Sequence, residues 1–226
     1  MVQLYAPPDP IPPQAMGLGP LYEVLDGRWA VCAYAWDGAA DGDALVIWSE
    51  DLGKSWGDPI AFPAATDRNR SMTEVALVEL GPGSFLAAIR SDTSENGGFD
   101  GFYFSRSADG VKWSAGNPIG DIGRQPHFYR IGETWALTYR QYVPAMATNF
   151  SCVRFSRDGQ RWSKPFIIEE GVQDGAHLVN VKGQLIAFNQ RYPQHDVRTR
   201  HVIRIPEERD WFTSSELVPL LKKATN

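Results

Sequence analysis

Four stretches of the chain place short apolar runs on either side of a glycine turn. LYEVLDGRWAVCAYAW (21–36) turns at Asp26-Gly27, and TEVALVELGPGSFLAAIR (73–90) turns at Gly81 to Gly83. HFYRIGETWALTYR (127–140) turns at Gly132, and AHLVNVKGQLIAFNQR (176–191) turns at Gly183. Each predicts a β-hairpin. VALVEL and FLAAI are almost unbroken apolar runs, which is the pattern of sheets covered on both faces. A third apolar run follows each of the first three hairpins: ALVIW, GFYF and CVRF. A polar signature follows each of these in turn: SEDLGKSW (49–56), SADGVKW (107–113) and SRDGQRW (156–162).

The repeating unit is therefore strand A, turn, strand B, loop, strand C, signature turn, strand D. The signature aspartates Asp51, Asp109 and Asp158 are spaced 58 and 49 residues apart, and a period near fifty marks stacked copies of one supersecondary unit. The prediction is an all-β chain, a β-propeller with about four recognisable four-stranded blades. It is either a small ring or part of a larger propeller; a sandwich or barrel is the alternative. In the last blade the third strand falls near Arg200 to Ile205. The tail after Pro206 is either an outer strand or a short helix around Glu216 to Lys222.

Residues 1–20 hold six of the 16 prolines and form a Pro-rich arm or linker. Residues 21–226 form the propeller domain. Val2 to Tyr5 is a candidate outer strand for the last blade.

The signature has a mechanical role. Ser and Asp side chains accept backbone N–H groups across a tight turn, Gly supplies a positive φ, and Trp folds back as an apolar plug. Ser49, Asp51, Gly53 and Trp56 make up the first copy. Ser107, Asp109, Gly110 and Trp113 make up the second; Ser156, Asp158, Gly159 and Trp162 the third. The expected role is structural.

In these residues the chain resembles the sialidase superfamily, whose Asp-box, the bacterial neuraminidase repeat, reads Ser-x-Asp-x-Gly-x-x-Trp. The first copy matches in full, and the other two are one residue shorter. Asp-boxes also occur in propellers that only bind, so the resemblance implies a fold more firmly than an activity.

Topology selects the end of the blades where a site belongs. Strand A starts and strand B ends lie together, opposite the signature turns. Arg90, Arg140 and Arg191 all end strand B, at offsets of 50 and 51 residues. Strand A starts contribute Glu74, His127, Asp174 and His177, and Asp37 closes the equivalent position of the first blade. Clustered guanidiniums call for an anion between them, and their planar fork suits a carboxylate. The resemblance implies more: sialidases hold the substrate carboxylate with an arginine triad. Glu74 with Arg90 looks like the family's Glu–Arg pair, and Arg140 and Arg191 look like its further arginines.

The implied function is that of a glycoside hydrolase on a terminal acidic sugar. Arg90, Arg140, Arg191, His127 and Asp37 would bind substrate, with Glu74, Asp174 and His177 as the acid–base groups. Asp92 is a further carboxylate in reach of this end. One departure weighs against the family's retaining mechanism: GVQDGAHLV (171–179) has Ala176 and His177 where the nucleophilic Tyr belongs. The alternatives are a glycan-binding propeller without catalysis, or a structural or protein-interaction propeller.

A net charge of −5 argues against nucleic acid as a partner. No apolar run approaches the length of a membrane span. The N-terminus lacks the basic stretch and apolar core of a signal peptide. Cys32 and Cys152 fall in strands of separate blades and read as reduced packing residues. Neither a cofactor nor a metal is expected, since no local spacing of ligands supports one.

Overall fold

Strand register and glycine turns build four antiparallel sheets in chain order. The computed structural model describes residues 15–36, 42–63, 70–93, 99–119, 123–143, 146–182, 184–190, 198–212 and 218–219. The first sheet runs β1 (Ala15–Glu23), β2 (Trp29–Trp36), β3 (Gly42–Ser49) and β4 (Ile60–Ala61). The second runs β5 (Arg70–Gly81), β6 (Ser84–Thr93), β7 (Phe99–Ser107) and β8 (Asn117–Pro118). The third runs β9 (Gly123–Ile131), β10 (Thr134–Val143), β11 (Thr148–Ser156) and β12 (Phe166–Glu170). The fourth has β13 (His177–Val181), β14 (Gln184–Gln190) and β15 (Arg198–Ile203). The chain is all-β, with four blade sheets of a β-propeller.

Two expectations for the last part of the chain are corrected. The fourth sheet has three strands among the described residues, because the final strand, β16 (Val218–Pro219), pairs with β12 of the third sheet in parallel. The short helical turn comes earlier than expected, at Glu208–Asp210. Trp211 just after it is 2% exposed and stacks on Phe155, which ties this segment to the third sheet as well. Val2 to Tyr5 lies outside the described residues.

The chain divides into two units, Met1–Gly120 and Asp121–Asn226, each holding two sheets. In the first unit Ala30, Cys32, Val46 and Trp48 pack with Leu77, Phe85, Ala87 and Ile89. The FLAAI run of β6 is buried throughout, so Leu86 and Ala88 are as inaccessible as their neighbours on the opposite face. In the second unit Ala136, Val153, Phe155 and Ile168 pack with Leu178, Leu185, Ala187 and Ile203. Cys32 and Cys152 are both buried within their strands, as expected of packing residues.

Every sheet has two unlike ends. One carries the A–B turns and, in the first three sheets, the signature turns, and is called the turn end below. The other carries the starts of A and the ends of B, and is called the rim.

Candidate functional site

The A strands of the first three sheets each carry a β-bulge. Gly19 and Pro20 oppose Cys32, Thr73 and Glu74 oppose Arg90, and Gln125 and Pro126 oppose Tyr139. Two residues against one turn a side chain out of its normal alternation. Prolines at two of these positions fit a bulge, where no ladder N–H is needed.

In the first unit the bulge brings Glu74 to Arg90. Arg90 Nη1 donates to Glu74 Oε1 at 2.9 Å. Arg90 Nε donates to Asp92 Oδ1 at 3.0 Å, and its Nη2 lies 2.8 Å from Asp92 Oδ2. The Asp92 contact is a bidentate fork, the strong geometry for this pair. The Arg90 side chain is 16% exposed, so part of it still reaches solvent.

In the second unit the bulge gives Gln125 a φ of 54°, and its Nε2 donates to Asp174 Oδ1 at 2.8 Å. Gly175 lets the Asp174 segment lie against this bulge. A Cβ on Gly175 would stand 2.8 Å from the Gln125 carbonyl oxygen and 3.1 Å from Tyr139 Cα. The Thr138 hydroxyl donates to the Ala176 carbonyl at 2.6 Å, and Arg140 Nη1 donates to the Gln173 carbonyl. His127 and His177 lie with ring centroids 4.7 Å apart and planes tilted by 46°, and Tyr129 Oη lies 3.4 Å from His177 Nδ1. Burial, and then the neighbouring His177, pull His127 down to about 4 against the opposing pull of Asp174. His127 is therefore a neutral imidazole at neutral pH.

The turn end is built alike three times. Ser107 Oγ accepts Gly110 N at 2.8 Å, and Asp109 Oδ1 accepts Val111 N and Lys112 N at 2.8 and 2.7 Å. Ser156 Oγ accepts Gly159 N at 2.8 Å, and Asp158 Oδ1 accepts Gln160 N and Arg161 N at 2.7 and 2.9 Å. Trp113 and Trp162 return their indole N–H to the Gly110 and Gly159 carbonyls, each at 3.1 Å. The longer first copy absorbs its extra residue at Leu52, with φ of 61°, before Gly53 at 83°. There Ser49 Oγ accepts Gly53 N at 2.7 Å, and Asp51 Oδ1 accepts Ser55 N at 2.7 Å. The Ser55 N–H and hydroxyl hold the Asp51 carboxyl down at about 2, and the Lys112 and Val111 N–H groups lower Asp109. At Asp158 burial pulls upward, but the Arg161 and Gln160 N–H groups outweigh it.

The structure thus brings Glu74 to Arg90 in the first unit, and gathers Arg140, Asp174, His127 and His177 on the second unit's rim. Arg191 and Asp37 lie outside the described residues. Sequence reasoning missed Gln125, Gln173 and Glu169. Only Pro126, a strand proline, hinted at the bulge that aims Gln125. Among the described residues no group of three His, Cys, Asp or Glu is placed to hold a metal, and no helix is long and apolar enough to cross a membrane. An open groove of about 540 Å³ lies at the turn end of the second sheet, between Pro82, Ser84, Arg106, Lys112 and Trp113.

No family model matches the sequence, and no curated protein matches it. Solved structures do share the fold. One is a Hadza microbial sialidase, with TM-score 0.66 and 14% identity over 81% of this chain and 43% of that one. Another is a Trypanosoma rangeli sialidase in complex with the inhibitor DANA, with TM-score 0.60 and 12% identity over 81% and 35%. A third is an exo-1,5-α-L-arabinanase from a bovine ruminal metagenomic library, with TM-score 0.58 and 12% identity over 83% and 73%. This chain spans less than half the length of either sialidase. At these identities the likeness establishes the β-propeller fold.

Proposed function

We propose that this is a glycan-acting propeller whose rim recognises a terminal sugar bearing a carboxylate. The observation that carries the reading is the Glu74–Arg90 pair, 2.9 Å apart and built by a bulge at the rim. A guanidinium fixed by Glu74 and Asp92, on a side chain that is not fully buried, is preorganised for a planar acid, with little side-chain freedom left to lose on binding. Structural likeness to sialidases supports the same substrate class; likeness to an arabinanase supports a neutral sugar as the competitor.

Hydrolysis is the stronger form of the proposal, with Glu74 on the first unit's rim, or Asp174 and His177 on the second unit's, in acid–base roles. Ala176 favours binding without the family's retaining chemistry. It is fully buried, with its carbonyl held by Thr138, and offers no nucleophile. A scaffold role is favoured by one fact, that the Arg90 charge already has two internal carboxylates.

Titration with sialic acid and its 2,3-dehydro analogue tests the reading on wild type, Arg90→Ala and Arg140→Ala. Binding that either substitution abolishes supports it, and turnover of an aryl sialoside then marks an enzyme. No binding at millimolar ligand would sink it and leave a neutral-glycan or protein-interaction propeller.

A further inference from the structure

A polar layer closes the apolar core of the second unit. Ala136 stands opposite Phe155, Thr138 opposite Val153 and Arg140 opposite Ser151; Ser151 in turn stands opposite Glu169. Directly paired residues of antiparallel strands share a face. Arg140, Ser151 and Glu169 therefore form one row at the rim, above the Ala136, Val153 and Phe155 layer that packs on the fourth sheet.

The Glu169 side chain is only 5% exposed. A carboxylate so buried is costly unless donors surround it. Its Oε2 accepts Asn189 Nδ2 at 3.1 Å and the Thr199 hydroxyl, and lies 3.0 Å from His201 Nε2. All three partners belong to β14 and β15, so one oxygen of the third sheet is gripped by three groups of the fourth. The chain then turns into the rim segment. Gly171 N donates to the Asn149 carbonyl at 2.8 Å, and Gln173 N donates to the Gln190 carbonyl at 2.7 Å. The Gln173 carbonyl is the acceptor for Arg140 Nη1. Contacts run unbroken from Glu169 through Asn189, Gln190 and Gln173 to Arg140.

We propose that Glu169 is a positioning residue for Arg140. Gripped by Asn189, Thr199 and His201, it locks the 170–174 segment onto β14, and so fixes the carbonyl that aims the Arg140 guanidinium. This deepens the acidic-sugar reading and rests on it only for its binding arm. Glu169 itself touches no ligand.

The test compares Glu169→Ala, Glu169→Gln and Thr199→Val with wild type. The first readout is solvent exchange of the Arg140 side-chain N–H signal in NMR, assigned by its loss in Arg140→Lys. The second is affinity for the 2,3-dehydro analogue. In Glu169→Ala exchange speeds up and affinity falls, each by about tenfold, the scale of a lost charge-assisted contact. Glu169→Gln keeps an acceptor oxygen and recovers both to within about threefold. Val153→Ala loosens the core beneath the row and lowers the melting temperature, yet leaves both readouts at wild-type values. Should Glu169→Ala not fold, Thr199→Val carries the test with a smaller change in the same direction. An unchanged Arg140 signal in a folded variant overturns the proposal, as does an equal change in Val153→Ala. If wild type binds no acidic sugar, the substrate reading falls, and the exchange readout alone upholds or overturns the role of Glu169.

Discussion

At the turn end of the second sheet, Ser107, Asp109 and the Gly110 carbonyl answer the local backbone and indole N–H groups one by one. At the rim of that sheet, Thr73 Oγ1 and Ser91 Oγ are buried with no partner. The second unit repeats the contrast. Its Ser156–Trp162 turn is closed by its own hydrogen bonds, while Gln141 Oε1, Ser151 Oγ, Gln173 Oε1 and Asn189 Oδ1 at the rim are buried without partners. Native proteins leave few such groups, and each calls for water or a ligand. The signature turns of the second and third sheets are self-sufficient staples, while these rim groups are left for water or a ligand to satisfy.

Substitutions at each end separate the two roles. Gly110→Ala has the largest expected effect. Its Cβ would lie 2.6 Å from a Trp48 ring carbon, at a φ of +77°. Strain and overpacking together cost roughly 3 kcal/mol, read as a lower denaturant midpoint, while ligand affinity of the folded fraction stays at the wild-type value. Gly175→Ala is the rim counterpart. Its Cβ meets backbone that cannot move aside, which costs about 2 kcal/mol and displaces the Asp174 segment, so ligand affinity falls with stability. Equal loss of affinity in both variants would erase the distinction between the ends.

Acid separates the ends as well. His127 has a folded-state value near 4 against an ordinary 6.5, so unfolding favours its protonation. Its contribution to stability is present above about pH 6.5 and is lost as pH falls toward 4. The signature aspartates have lowered values, with Asp51 at about 2. Their contribution is present above the ordinary carboxylate value and is lost as pH falls below it, for Asp51 between about 4 and about 2. Stability measured against pH should decline in these two stages, and His127→Gln should flatten the first alone. The smallest effect belongs to Gly27→Ala, where φ is +86° but a Cβ meets nothing within 4 Å. Backbone strain alone costs about 1 kcal/mol there, with no change in binding.

The legibility of the chain follows the same division. The staples could be read because each is local: Ser, Asp, Gly and Trp lie within eight residues and satisfy one another. Strand order followed from apolar runs and glycine turns. The rim was legible only in part. Glu74 and Arg90 stood out because the repeat places them at matching strand ends. Glu169 did not, because its partners Asn189, Thr199 and His201 are 20 to 32 residues away and meet it only when two sheets pack. Gln125 was hidden by a bulge that breaks the period-two pattern. The tail stayed open between strand and helix because the two-residue pairing of Val218–Pro219 with β12 carries too little pattern to be read.

The most direct test of the rim as the binding end is a crystal structure of the protein soaked with the 2,3-dehydro analogue of sialic acid. The account predicts density at the rim, with the ligand carboxylate within hydrogen-bond reach, about 3 Å, of the Arg90 or Arg140 guanidinium. Ligand seated instead in the turn-end groove between Ser84, Lys112 and Trp113, with the rim unchanged, would contradict it.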